Sequence, residues 1–320
     1  YADFVINAEC EEEKSTNSIV TAYVVHQLTK KKNSISYIST NGKSKATFSE
    51  ALMQGLASDK GLFVPKYTPK LSQEEISLMK YLKYYELAFV IMKHFVNIED
   101  STLKRICKEA YHFDIPIESY YNGKLFIARL DQGPSASFKD FAVQLLARMM
   151  EYIVSKENKR ITILTATSGD TGGAVASAFH NLKNIQVIIL MPANEISKRQ
   201  RKQMTTIGGN IKAVLVNGKF DDCQALAKEA LLKVKGTSSA NSINIGRLLP
   251  QIVYYFYIYS RIKADTFVVP SGNFGNLVAG LMAKKMGLPI RLVAAVNEND
   301  EVPKFFESGI YKPITPSKRC

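Results

Sequence analysis

From about residue 124 to residue 296 the chain alternates short β-branched apolar runs with helix-like stretches, and no other feature constrains its fold as strongly. Leu125 to Leu130 is strand-like, and Phe138 to Val154 carries apolar residues at 138, 141, 145, 149 and 153, the spacing of one helix face. Strands are expected at Ile161 to Ala166, at Ile185 to Met191 (ended by Pro192) and at Ile211 to Val216. Helices are expected at Ala174 to Phe179 and Asp221 to Val234. Thr266 to Val269, Leu277 to Met286 and Arg291 to Val296 read as a further strand-helix-strand unit, with Gly287 capping its helix. Such alternation implies an α/β fold with parallel sheets covered on both faces. Ligands in these folds bind beyond the carboxyl ends of strands.

Residues 37–118 read mainly as helices. Phe48, Ala51, Leu52, Gly55 and Leu56 recur at helical spacing, and Asp59-Lys60-Gly61 breaks the run before Leu62 to Pro65. Ser72 with Glu75 forms a possible capping box, and the aromatic stretch Tyr81 to Phe95 reads as core. Residues 1–34, where an acidic cluster gives way to Ile19 to Val25 and then three lysines, fit either an added terminal helix or a remnant of another unit. The chain begins at Tyr1 and stops at Cys320 after a Pro313-to-Pro316 turn, so it is expected to be a fragment.

At 320 residues, 46% apolar and 22% charged, the chain has room for two domains and a buried core, and disorder is excluded. No run of 18 apolar residues is present, so no membrane span is expected. The net charge of +13 suggests anionic partners: either a nucleic-acid surface or a solvated exterior around a site for small phosphates. The lysines are scattered, with short clusters at Lys30-Lys31-Lys32 and Lys198 to Lys202 and no nucleic-acid recognition signature, which favours the second. Cys10, Cys107, Cys223 and Cys320 lie far apart, and the four histidines stand singly. A zinc or disulfide framework is therefore not expected, and a reducing cytoplasm fits.

Two segments more than 130 residues apart carry the chemistry. In the first, Ser135 and Ser137 are candidate N-caps that place Lys139 in the opening turn of its helix, between Phe138 and Phe141. A cation is disfavoured there by the helix dipole, so the amine should have a lowered pKa and serve as a Schiff-base nucleophile and proton shuttle. The alternative is a lysine that snorkels to solvent. In the second, Pro270 ends a strand and Ser271-Gly272-Asn273-Phe274-Gly275-Asn276 leads into a helix. Its backbone N–H groups can converge on an anion, with Asn273 and Asn276 as added side-chain donors. The alternative is a tight connection whose glycines merely permit close packing. A third loop, Thr167 to Gly173, offers Ser168, Thr171 and backbone N–H groups to a carboxylate or phosphate, with the Asp170 carboxylate expected to point away or to play a conformational part. Ahead of an aromatic helix, Asn241 to Arg247 groups amide, hydroxyl and guanidinium donors. Arg247 is either a bidentate phosphate clamp or one half of a structural ion pair.

Taken together and in order, these blocks resemble the threonine synthase family, fold-type II pyridoxal-phosphate enzymes. The resemblance rests on Tyr37 to Thr40, Gly55 to Ala57 with Gly61 to Pro65, Gly133-Pro134 through Asp140, and Thr167 to Gly173. It continues through Gln200 to Thr206, Asn241 to Arg247 with Gln251 to Tyr257, Ser271 to Asn276, and Asn297 to Asp300. It implies a fold like that of the tryptophan synthase β subunit: two open, mostly parallel sheets flanked by helices, with a helical N-terminal region. The implied domains are an unmatched segment 1–34, a helical domain 35–118, a large domain of 119–145 and 239–320, and a small α/β domain 146–238. It also implies that Lys139 carries pyridoxal 5'-phosphate covalently and that Gly272, Asn273, Phe274, Gly275 and Asn276 cradle its phosphate. Ser168 and Thr171 would meet the carboxylate of O-phospho-L-homoserine, and Asn244 with Arg247 its leaving phosphate. The implied products are L-threonine and inorganic phosphate, and the implied protein is a cytoplasmic monomer or homodimer. The chain departs from the family pattern at Asn41, at Lys60 and in residues 1–34. Family chains run on beyond this end, through the hydroxyl partner of the pyridine nitrogen, which implies an incomplete site and cofactor binding by the segment alone that is weak or absent. Another lyase of the same fold, such as a serine or threonine dehydratase or a cysteine synthase, and a non-catalytic relative are the competing readings.

Overall fold

Helix α1 (Glu13–Leu28) turns Val24 and Leu28 into the core. After it come three short antiparallel strands, β1 (Tyr37–Ser39), β2 (Lys45–Ala46) and β3 (Phe63–Pro65), in the order β2-β1-β3. The computed structural model describes residues 13–29, 35–167, 169–298 and 300–312. Lys30 to Lys32, Asn299, the acidic residues before Glu13 and the turn after Lys312 lie outside the described residues. The region read as mainly helical thus also contains a small sheet, whose strands are too short to show a period of two.

Helix α2 (Phe48–Gln54) starts at a capping box. The Glu50 N–H donates to Thr47 Oγ1 at 3.3 Å, and the Thr47 N–H donates to Glu50 Oε2 at 2.7 Å. Helix α3 (Gln73–Leu78) has the box expected from Ser72 and Glu75, with bonds of 3.1 and 2.6 Å. Helix α4 (Tyr84–Met92) is almost wholly buried, as its aromatic-rich sequence suggested, and α5 (Asp100–Ala110) buries Leu103, Ile106, Cys107 and Ala110. A hairpin of β4 (Ile117–Tyr120) and β5 (Leu125–Ala128) leads towards α6 (Asp140–Lys156). Phe141, Leu145, Met149 and Ile153 of the predicted apolar face are all buried, while Phe138 lies before the helix and is partly open.

The central sheet contains β6 (Ile161–Ala166), β7 (Ile185–Pro192), β8 (Ile211–Val216) and β9 (Thr237–Ser239), all parallel, in the order β8-β7-β6-β9. Strand β6 is buried on nearly every residue because helices cover both faces. The intervening helices are α7 (Asp170–Phe179), α8 (Lys198–Thr205) and α9 (Phe220–Lys233). Helix α7 begins four residues before the expected Ala174. Gly172 and Gly173 read as loop, yet both are helical: Met204 of α8 packs closely on Gly172, and Gly173 faces Gln203 at ordinary contact distance.

Helix α10 (Ile245–Ile262) is buried from Ile245 through Ser260 and runs through the core against α4, α6 and the helix that joins a second parallel pair of strands. Those strands, β10 (Thr266–Pro270) and β11 (Arg291–Ala295), flank α11 (Gly275–Met286). Gly287 caps α11 at φ 125° as expected, and α12 (Glu301–Ser308) follows. Glycine is needed at 246. A Cβ there would lie 2.3 Å from Leu52 Cδ1 and 2.6 Å from Leu146 Cδ1, so the start of α10 is wedged between α2 and α6. The fold is α/β with two parallel sheets flanked by helices, as the alternation required.

Candidate active site

Lys139 is itself the N-cap of α6, one step earlier than expected, and its N–H donates to Ser137 Oγ at 3.4 Å. Ser135 does not cap the helix. Its N–H and hydroxyl donate to Asp140 Oδ2 at 2.8 and 2.9 Å, wrapping the 133–137 loop around a buried carboxylate. Gly133 makes that wrap possible, since a Cβ there would sit 2.4 Å from Asp140 Cβ. Burial raises the Asp140 carboxyl above the ordinary carboxylate range.

The Lys139 side chain is 21% exposed, and its Nζ lies 3.7 Å from Asp170 Oδ2 and 4.7 Å from the centre of the Phe138 ring. Burial pulls its amine below the ordinary lysine range; the Asp170 carboxylate opposes that shift and the nearby Arg247 guanidinium reinforces it. This is not a solvent-snorkelling lysine. Phe141, expected to flank the amine, turns into the core, with ring centres 5.2 Å from Tyr84, 5.0 Å from Phe113 and 6.0 Å from Tyr254.

Asp170 opens α7, and of the two expected dispositions its carboxylate does not take the outward one. One oxygen faces Lys139 and the other accepts from Gln200 Nε2 at 3.1 Å. Thr167 pins the loop from within: its Oγ1 accepts from the N–H groups of Gly169 and Gly172, both at 3.1 Å. Thr171 is half-buried in the first turn and has no side-chain hydrogen bond among the described residues. Ser168 lies outside the described residues.

The Asn241-to-Arg247 segment crosses the ends of β6 and β9. Asn241 imitates a strand there, accepting from the Ala166 N–H at 2.9 Å and donating to the Ala166 carbonyl at 2.7 Å. Asn244 is fully buried as the N-cap of α10. Its Oδ1 accepts from the Gly246 N–H at 2.9 Å, and its Nδ2 donates to the carbonyls of Leu52 and Ser239 at 2.9 and 2.8 Å. Both ends of that amide are committed within the chain, so Asn244 shapes the segment rather than offering an open donor. Arg247 is 4% exposed, donates through Nη1 to the Ala240 carbonyl, and has a buried Nε with no partner among the described residues. It forms no ion pair among them, and burial lowers its guanidinium to about 10.

The glycine-rich turn lies against this segment. Phe274 takes the left-handed conformation at φ 56°, and the first turn of α11 starts at Gly275. Among the described residues no chain acceptor meets the N–H groups of Gly272, Asn273, Phe274, Gly275 or Asn276. Gly272 is open: a Cβ there would find nothing within 4 Å. At Gly275 the nearest atoms, on Leu248 and Ser242, lie at an ordinary 3.5 Å. Neither glycine has a left-handed φ, so neither packing nor backbone conformation explains them. Asn276 is held by its side-chain oxygen Oδ1, which accepts from the hydroxyls of Tyr254 at 2.6 Å and Tyr255 at 2.7 Å. Tyr254 packs on Phe141, two residues from Lys139, and so joins the turn to the lysine's helix. Gln200, Thr167 and the two tyrosines were not singled out as site residues. A hydroxyl-bearing ring on an otherwise apolar helix was the only available signal for the tyrosines.

Residues 36–111 match the family described as "Threonine synthase N terminus", and residues 115–320 match "Pyridoxal-phosphate dependent enzyme". The solved threonine synthase of Escherichia coli superimposes with a TM-score of 0.81 at 41% identity, covering 88% of this chain and 68% of that one. The chain belongs to the threonine synthase family. Within the family, the pyridoxal-phosphate-bound threonine synthase of Brucella melitensis superimposes with the same TM-score of 0.81 at 38% identity, over 89% of this chain and 65% of its own. The threonine synthase of Pseudomonas aeruginosa is 41% identical over 87% of this chain and 63% of its own length. The chain therefore spans somewhat under two-thirds of that curated relative. Helix α1 precedes the segment matched to the threonine synthase N terminus.

Proposed function

We propose that the chain works with pyridoxal 5'-phosphate to convert O-phospho-L-homoserine and water to L-threonine and inorganic phosphate. The single observation carrying this reading is a partly enclosed Lys139 amine whose helix is joined through Phe141 and Tyr254 to a turn, 272–276, whose amides meet no chain acceptor among the described residues. The relatives named threonine synthase supply the substrate class.

The residues fit the cofactor. Lys139 would hold it covalently, and the N–H groups of Gly272, Asn273, Phe274, Gly275 and Asn276, at the positive end of α11, would hold its phosphate. When bound, the cofactor supplies an electron sink for charge that develops at the substrate's Cα. Lys139 Nζ, biased towards its neutral form, takes and returns the Cα proton. Asp170 sets how readily it does so, because its carboxylate favours the charged amine, and Gln200 keeps Asp170 facing it. Ser168 and Thr171 bind the substrate carboxylate. Arg247, fixed by Ala240 and with a buried Nε–H that meets no partner among the described residues, orients the phosphate that leaves, while Asn244 holds the α10 start that presents it.

The small α/β unit, residues 146–238, closes over the substrate and excludes water until it is needed at Cβ. The large unit of 119–145 with 239–320 carries the lysine and the phosphate cradle, residues 35–118 form the N-terminal unit, and 1–34 stand apart. The substrate is a small molecule, with neither nucleic acid nor membrane as partner, and the protein acts in the cytoplasm as a monomer or homodimer. No helix among the described residues is long and apolar enough to cross a membrane. Phosphate release measured with O-phospho-L-homoserine, and consumption of L-serine and L-threonine measured in parallel, tests the reaction. Release from the first alone is expected; turnover of the others without it would point to a dehydratase.

A further inference from the structure

A cleft of about 640 Å³ lies between the C-terminal half of α1 and the α4–α5 pair. One wall comes from Ala22, Val25 and His26 of α1, which precedes the segment matched to the family. The floor is apolar, formed by Val25, Tyr85 and the buried ring of Phe89. Above that ring stand two amines, Lys104 Nζ at 5.1 Å and Lys93 Nζ at 5.8 Å from its centre.

The charges in the cleft do not cancel. Of its two acids, Asp100 pairs with Lys93 at 2.5 Å, while Glu86 is held in the α4 cap by the backbone N–H of Lys83 at 2.8 Å and keeps its charge, one carboxylate against the remaining cations. Arg105 pairs with Glu109 at 2.9 Å. Lys104 and Lys108 remain, one turn apart on α5, with no ion pair among the described residues. Like charges at that spacing cost helix stability, so they are unfavourable unless something anionic lies between or above them. The volume falls within the roughly 300–1,000 Å³ typical of small-molecule sites, and a few fixed polar groups over an apolar floor is their usual lining.

We propose that this cleft is a second binding site, for a small organic anion with an apolar body whose acidic group lies between Lys104 and Lys108 and whose body rests on Val25, Tyr85 and Phe89. An inorganic anion would leave that floor uncovered, and a neutral apolar molecule would leave the two amines unmatched. The site is independent of the chemistry at Lys139. It touches that chemistry through α4, where Tyr84, next to Tyr85, packs its ring 5.2 Å from Phe141, and through α5, which packs on α6.

The test is calorimetric titration of 2-naphthoate, and of neutral 2-naphthamide, into the full chain with and without pyridoxal phosphate. One saturable naphthoate site is expected, with the amide about tenfold weaker, since two solvated amines contribute modestly. The double variant Lys104→Gln, Lys108→Gln should lose naphthoate affinity by a similar factor while its thermal unfolding midpoint holds or rises. Lys139→Ala should bind naphthoate as the parent does, which separates this outcome from any failure of the proposed reaction. Equal binding of acid and amide, unchanged binding in the double variant, or no saturable site would each overturn the proposal.

Discussion

Replacing Gly272 with alanine separates the two reasons a chain keeps glycine in a turn. If packing were the reason, a Cβ would collide with a neighbour, but at 272 nothing lies within 4 Å and φ is outside the left-handed region. Folding should therefore tolerate Gly272→Ala to within about 0.5 kcal/mol, or gain up to about 1 kcal/mol from a less flexible unfolded chain. Ligand binding should not tolerate it, because the methyl group enters the space the open amides face. Loss of one charge-assisted hydrogen bond to a phosphate costs about 1.5–3 kcal/mol, or roughly 10- to 150-fold in cofactor affinity. Gly246→Ala is the matched control: its Cβ would meet Leu52 and Leu146 at 2.3 and 2.6 Å. Overpacking there should cost about 1–3 kcal/mol, offset in part by the better helix propensity of alanine. Urea unfolding monitored by circular dichroism gives the stabilities, and titration with pyridoxal phosphate followed by visible absorbance gives the affinities. If Gly272→Ala unfolds as readily as Gly246→Ala and binds cofactor normally, the glycine is structural and the phosphate cradle is misassigned.

Tyr254→Phe and Tyr255→Phe should each cost about 0.5–1.5 kcal/mol, and the double variant about 1 kcal/mol more than their sum, because only then does Asn276 Oδ1 lose both donors. Strict additivity in urea unfolding would show that the two hydroxyls do not share that acceptor. Asp170→Asn removes the carboxylate that opposes the lowering of the Lys139 pKa, so the pH midpoint for cofactor attachment should move to lower pH. An unchanged or raised midpoint, measured by absorbance after mixing, would place Asp170 elsewhere. Because Lys139 titrates below its ordinary value of 10.5 when folded, the unfolded chain binds more protons between the folded value and 10.5. Stability of the cofactor-free protein should thus gain a rising component with pH across that window, and Lys139→Met should abolish it in denaturant midpoints measured against pH.

Much of the scaffold was legible because local and tertiary signals agree. The face of α6 recurs at 141, 145, 149 and 153, and every one of those side chains is buried. The Ser72–Glu75 box and the Gly287 cap are local chemistry that needs no distant partner. The true start of α7 is hidden because its two glycines favour loop locally, while Met204, 32 residues on, is what favours a small helical residue at 172. Lys198 to Lys202 read only as a basic cluster, since almost nothing in α8 is buried except Met204. In the site, Lys139 and the glycine turn could be picked out by dipole and amide arguments alone. The direction of Asp170 could not, because it depends on Lys139 and Gln200, each about 30 residues away. The internal commitment of the Asn244 amide was hidden for the same reason: its carbonyl partner at Leu52 is 192 residues distant.

The central claim is that one particular amine holds the cofactor, and reductive trapping tests it most directly. The chain is incubated with pyridoxal 5'-phosphate, reduced with borohydride, digested, and mapped by mass spectrometry. A single phosphopyridoxyl group on Lys139 is predicted, absent from Lys139→Ala and displaced by no other lysine. Label spread over surface lysines such as Lys104 and Lys198, with Lys139 unmodified, would contradict it.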